Sequence, residues 1–186
     1  MQRLIMGMAA ALAAALAAGE AKASVTVIGG GLAEACAKAT IAGGSAPRLE
    51  SLCTQSLSEE LLSPRDKAGT FVNRGIMRLR RGDMQLALND FNQAIRYKAD
   101  LGEIYVNRGA ALIGQHRYAE GLTDLNKGLG LGVEEPAKAY FNRALAYEGL
   151  DDIKSAYFDY QKATELSPAW EAPKQELARF HVARRE

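Results

Sequence analysis

The sequence predicts an all-α protein built from antiparallel helix pairs stacked side by side, on three observations. A five-residue block recurs as Phe71-Val72-Asn73-Arg74-Gly75, Tyr105-Val106-Asn107-Arg108-Gly109 and Tyr140-Phe141-Asn142-Arg143-Ala144. The step is 34 residues from Asn73 to Asn107 and 35 from Asn107 to Asn142. A second block runs in register: Ala87-Leu88-Asn89-Asp90-Phe91, Gly121-Leu122-Thr123-Asp124-Leu125 and Ala156-Tyr157-Phe158-Asp159-Tyr160. Between the blocks, apolar residues follow helical spacing and are broken by turn residues such as Gly82-Asp83.

The chain begins with a segment that reads as a signal peptide, residues 1–23. Arg3 gives a short positive start, Leu4 to Ala18 is apolar and uncharged, and Ala21-Lys22-Ala23 places small residues two apart. Cleavage is expected after Ala23. A membrane anchor is the competing reading, but the apolar run is short of the roughly 20 residues that cross a bilayer. Export, to the periplasm or beyond, is therefore the expected fate.

Residues 24–65 read as a divergent, shortened helical hairpin. Ala33 to Ala42 is one helix. Leu49, Leu52, Cys53, Leu57, Leu61 and Leu62 mark a second that ends at Ser63-Pro64, with Gly43 to Pro47 between them. Gly29-Gly30-Gly31 reads as a flexible lead-in, since no lysine or preceding strand makes it a phosphate loop. The two cysteines, Cys36 and Cys53, form either a disulfide or a pair of buried thiols. Export favours the bridge, which would close a loop of about 17 residues worth around 3 kcal/mol.

Residues 66–170 hold three helix pairs. In the first, a helix over about 66–81 carries Phe71, Gly75, Met77 and Leu79. A second carries Met84, Ala87, Leu88, Phe91, Ala94 and Ile95 at i, i+3, i+4, i+7 spacing. One pair cannot bury its faces alone and must stack on neighbours. Gly75 and Gly109 fall where the helices of a pair approach, and Gly121 and Gly128 replace small alanines at about 1 kcal/mol each of helix propensity. Within residues 171–186, Pro173 to Arg184 reads as a helix that caps the open end, with Lys174, Glu176, Arg179, Arg184 and Arg185 suited to a solvent-facing cap.

The pattern of aromatic, small, small, aromatic, small and proline resembles the tetratricopeptide repeat. The last unit shows it most fully, with Tyr140, Ala144, Ala156, Tyr160, Ala163 and Pro168. The first two units lack the proline, and Leu125 replaces the second aromatic of the middle one. The resemblance implies a right-handed α-solenoid whose first helices line a concave face. It also implies that Asn73, Asn107 and Asn142 hold a bound peptide backbone there, with Val72, Ile76, Val106 and Phe141 in or near the groove. An amide side chain offers donor and acceptor together, so it matches a peptide unit without reading sequence. The clamp some family members use for a C-terminal carboxylate needs basic residues here. Lys138 is the sole basic contributor among largely aliphatic positions, which disfavours such a ligand. The chain's own terminal helix, or Ser24 to Ile28, is the alternative cover for this surface.

Arg74 and Asp90, Arg108 and Asp124, and Arg143 and Asp159 are each 16 residues apart, which places them opposite one another across each helix pair as structural ion pairs. No nucleophile accompanies them, so an enzyme is not predicted. His116 reads as a solvated turn residue and His181 as a packing residue on the terminal helix. No cofactor and no metal set is predicted. Removing residues 1–23 takes Arg3, Lys22 and Glu20 from the totals of 23 basic and 22 acidic residues, leaving a neutral chain. Neutrality argues against nucleic acid and against an anionic membrane as partners. The predicted role is a scaffold that binds another protein or peptide. The alternative is a self-associating structural protein that forms a homo-oligomer through Trp170 and the last helix.

Overall fold

A computed structural model describes residues 3–6, 25–26 and 31–183. The helices follow one another as α1 (Leu32–Ile41), α2 (Pro47–Glu59), α3 (Pro64–Arg80), α4 (Met84–Tyr97), α5 (Gly102–Gly114), α6 (Tyr118–Leu131), α7 (Pro136–Gly149), α8 (Ile153–Leu166) and α9 (Glu171–Leu177). Each of α3–α4, α5–α6 and α7–α8 is an antiparallel pair packed along its length. Each second helix also packs on the first helix of the next pair. The first helices α3, α5 and α7 touch in series, so they form one wall of the stack.

Small residues set the spacing within each pair. A Cβ added at Gly75 would come within 2.6 Å of the Phe91 ring. In the middle pair the approach is backbone to backbone: a Cβ on Gly121 would lie 3.1 Å from the Gly109 oxygen, and one on Gly128 3.0 Å from the Gly102 oxygen. The equivalent contacts in the outer pairs use alanine, such as Ala144 and Ala156, both fully buried. The middle-unit glycines are therefore close-approach residues rather than a bare cost in helix propensity.

The tight turn inside each pair repeats one conformation. Gly82, His116 and Asp151 all have positive φ, at 85°, 60° and 59°. The residue after each donates its N–H back to a first-helix carbonyl, Arg78, Leu112 or Tyr147. His116 is thus a left-handed turn residue, with its Nδ1 2.7 Å from the Tyr118 hydroxyl. Only glycine adopts this conformation without steric cost.

The N-terminal hairpin is part of the stack, packed on α3 through both α1 and α2. Cys36 and Cys53 are joined by a disulfide, S–S 2.14 Å, buried beside Met77. Here α2 ends at Glu59, earlier than the leucine spacing predicts, and Leu61 stands fully exposed. The reason is Glu60, which leaves the helix in an extended conformation and turns its carboxylate onto the start of α1. It accepts from the Leu32 N–H at 2.7 Å and the Ala33 N–H at 2.9 Å, two of the orphan donors at that terminus. Gly31, with φ 96°, lies directly under this carboxylate, where a side chain would collide with it. Gly31 is therefore a fixed cap residue, not a flexible lead-in. Gly29 and Gly30 lie outside the described residues.

The far end departs from expectation. The terminal helix stops at Leu177 instead of running to residue 184, and Phe180–Ala183 is a strand, β2. It pairs antiparallel with β1 (Arg3–Met6), Met6 opposite Phe180. His181 therefore belongs to β2 and not to the helix. Of the segment expected to be removed on export, only Arg3–Met6 is described; the rest and the expected cleavage point lie outside the described residues. Trp170, the residue expected to mediate self-association, is half-buried and packs its ring on Phe141 at 4.9 Å, against the core of the last unit. Phe180 covers the same end, 6.0 Å from Tyr160.

Candidate functional site

The asparagine of each first helix lies on the wall formed by α3, α5 and α7. All three are completely buried. A buried amide must be hydrogen-bonded. Asn73 meets that demand with the backbone of Val25: its Nδ2 donates to the Val25 carbonyl at 2.9 Å, and its Oδ1 accepts from the Val25 N–H at 3.2 Å. One side-chain amide thus pairs with both polar groups of one residue, as a neighbouring β-strand would. Asn107 donates to the Glu103 carbonyl of its own helix at 2.8 Å. Asn142 occupies the same helical position on α7.

The apolar positions expected to flank the ladder divide into two groups. Val72 and Ile76 belong to a buried cluster that also contains Val25, Ala68 and Phe91. Both are completely buried. Val106 and Phe141 do not behave as groove residues. Val106 points at α6, where its Cγ2 would be 2.8 Å from a Cβ on Gly128. Phe141 makes an edge contact with Tyr160 at 5.4 Å across its own helix pair. Both are core residues of their units, because the glycine and alanine seams draw the second helix close enough to take them up.

The ion pairs lie across each unit, away from the asparagines. Arg74 reaches Asp90 through Nε at 3.1 Å and Nη2 at 2.7 Å. Arg108 reaches Asp124 at 2.7 and 2.8 Å, and Arg143 reaches Asp159 at 2.7 and 2.9 Å. The remaining nitrogen of each arginine crosses to the preceding pair: Arg74 to Thr54 at 3.1 Å, Arg108 to Asn92 at 2.8 Å, Arg143 to Asn126 at 2.8 Å. Each guanidinium also lies over the aromatic ring one turn earlier, 5.4 Å from Phe71, 5.6 Å from Tyr105 and 5.1 Å from Tyr140. Every charge in the set is satisfied, so it stitches units together and offers no reactive group. Hydrogen bonding to Asp124 and Asp159 holds the Arg108 and Arg143 guanidiniums above their usual basicity. Burial pushes Asp90 up, against the pull of Arg74 and Arg78.

A second set of arginines carries no signal in the sequence. Arg80 donates to the Thr40 carbonyl at 2.7 Å and caps the end of α1. Arg78 binds Glu50 at 2.8 Å, and Arg81 binds both Glu50 and the Ser45 carbonyl. These bonds clamp the hairpin to α3. They join residues 28 to 40 positions apart with no period, so no pattern in the chain announces them. A cleft of about 360 Å³ beside Arg108 opens between α4 and α6, but its ionic groups are already paired as Arg108–Asp124 and Arg117–Glu120. Among the described residues no cluster of three His, Cys, Asp or Glu side chains could hold a metal ion, and no helix is long and apolar enough to cross a membrane.

Comparison with known proteins agrees with this geometry. The tetratricopeptide-repeat family model matches residues 137–169, the last helix pair. The Hsp70-Hsp90 organizing protein of Triticum aestivum is 36% identical over 97 residues, covering 52% of this chain and 16% of that protein. The chain thus spans about a sixth of the length of that relative. Among solved structures, MamA from Desulfovibrio magneticus superposes with a TM-score of 0.62 at 22% identity, covering 80% of this chain and 82% of that one. The Arabidopsis OM64 TPR domain gives 0.59 at 23% identity, covering 62% and 95%. The first TPR of Spaghetti (RPAP3), solved bound to an HSP90 peptide, gives 0.57 at 23% identity, covering 61% and 90%.

Proposed function

Because the chain is an array of tetratricopeptide repeats, we propose that it is a non-catalytic scaffold that binds an extended polypeptide segment along the wall formed by α3, α5 and α7. One observation carries this reading: the Asn73 amide pairs with both backbone groups of Val25, which is the contact a bound peptide would make. Asn107 and Asn142 repeat the position on the next two first helices and extend the row. The apolar cluster of Val72 and Ile76 beside Asn73 favours an aliphatic segment over an acidic one. The relative that was solved with a chaperone peptide lends support to peptide binding as a class, not to that peptide as the ligand. Removal of residues 1–23 on export would place the scaffold in the cell envelope, where the Cys36–Cys53 bridge is stable.

The test is selection from a random peptide library with the full chain as bait. Enrichment of aliphatic segments that bind equally well with an amidated C-terminus supports the reading. Enrichment that depends on a free acidic C-terminus, or no enrichment, contradicts it. N-terminal sequencing of the protein recovered from cells tests export: Ser24 is the expected first residue, and Met1 would overturn it.

A further inference from the structure

We propose that Val25 is a resident ligand: it occupies the Asn73 end of the groove, and a partner must displace it to bind there. This rests on the peptide-binding reading above. Val25 belongs to no helix, yet it is only 4% exposed and sits in the same cluster as Val72, Ile76 and Phe91. Both of its backbone groups are taken by a fully buried Asn73, 48 residues away in sequence. Apolar burial of the side chain and two-point pairing of the backbone are together how an extended peptide is bound.

The arrangement defines the ligand class. The site takes one residue with a small β-branched side chain through both of its backbone groups, and it reads the peptide unit rather than a charge. Val25 precedes α1 by a few residues, so the tether keeps it at a high effective concentration. Any peptide arriving from solution competes with it, and its apparent affinity falls by the fraction of open sites. Cleavage after Ala23 would leave Val25 in the chain, so the resident would survive export.

Two measurements on the full chain test this. The first is hydrogen exchange at the Val25 N–H. Protection in the wild type that is lost in Asn73→Ala is the expected result, and equal exchange in both overturns the resident. The second is titration with a labelled Ser-Val-Thr-Val-Ile peptide, the chain's own residues 24–28. Val25→Asp should bind it about tenfold more tightly than the wild type, as for a site about nine-tenths occupied. Adding Asn73→Ala to that variant should remove the gain. Val25 lies outside the helices, so circular dichroism should be unchanged in Val25→Asp. Equal, measurable affinity in wild type and Val25→Asp overturns the resident and leaves peptide binding standing. A protected Val25 with no peptide binding in any variant overturns both, since the segment is then a fixed part of the core.

Discussion

At the residue scale, one arginine per unit does three things. Arg143 forks onto Asp159, crosses to Asn126 of the preceding pair and covers Tyr140. Removing it would leave Asp159, 6% exposed, as an uncompensated charge. Arg143→Ala should therefore cost about 3 kcal/mol in urea unfolding. A loss below about 1 kcal/mol, the level of an exposed pair, would mean that Asp159 is solvated in solution. The pairs were legible in the sequence because arginine and aspartate recur in register. The crossings to Asn92 and Asn126 were not, since they depend on how far one unit is rotated from the next. The same limit explains Val106 and Phe141. Their neighbourhood to the asparagines suggested a groove, but consecutive helical residues point about 100° apart, and the tight seam between the helices of a pair captures them.

At the element scale, α1 depends on groups outside itself. Glu60 caps its start, Arg80 caps its end and the disulfide holds its middle. The Ser56 hydroxyl, with the Leu32 and Ala33 N–H groups, holds the Glu60 carboxyl below its ordinary value. The folded pKa is depressed, so this stabilisation is present above the unfolded value of about 4.3 and is lost as the pH falls through the folded one. Amide exchange in α1 should therefore accelerate below about pH 4 relative to α5, and Glu60→Gln should blunt that dependence. Uniform acceleration across the helices would rule out a local cap. The α5–α6 seam gives a second element-scale result. Gly128→Ala gains about 1 kcal/mol of helix propensity. It also drives a methyl to within 2.8 Å of Val106 and 3.0 Å of the Gly102 oxygen. The collision should win and lower the melting temperature by several degrees; a rise would show that the seam can open freely. The sequence marked these glycines as replacements for alanine but carried no measure of the distance between the helices.

At the scale of the whole molecule, the repeat architecture was readable because each unit restates the same register. The two ends were not, because ends lack a neighbour that restates them. The start of the array is closed by an arginine-clamped hairpin, and the last unit by Trp170, Phe180 and a short terminal helix. Between them runs the buried row of Asn73, Asn107 and Asn142, on which the proposed function rests. Each backbone hydrogen-bonding amide is worth about 1 kcal/mol, or roughly fivefold in affinity. The direct measurement is titration of a library-selected peptide into the Val25→Asp chain and into the same chain carrying Asn73→Ala/Asn107→Ala/Asn142→Ala, the Val25 change freeing the Asn73 end of the groove in both. A loss of about a hundredfold, with the helical content of the chain unchanged, is the predicted result. Equal affinity in the two chains would show that the asparagine row does not hold the ligand.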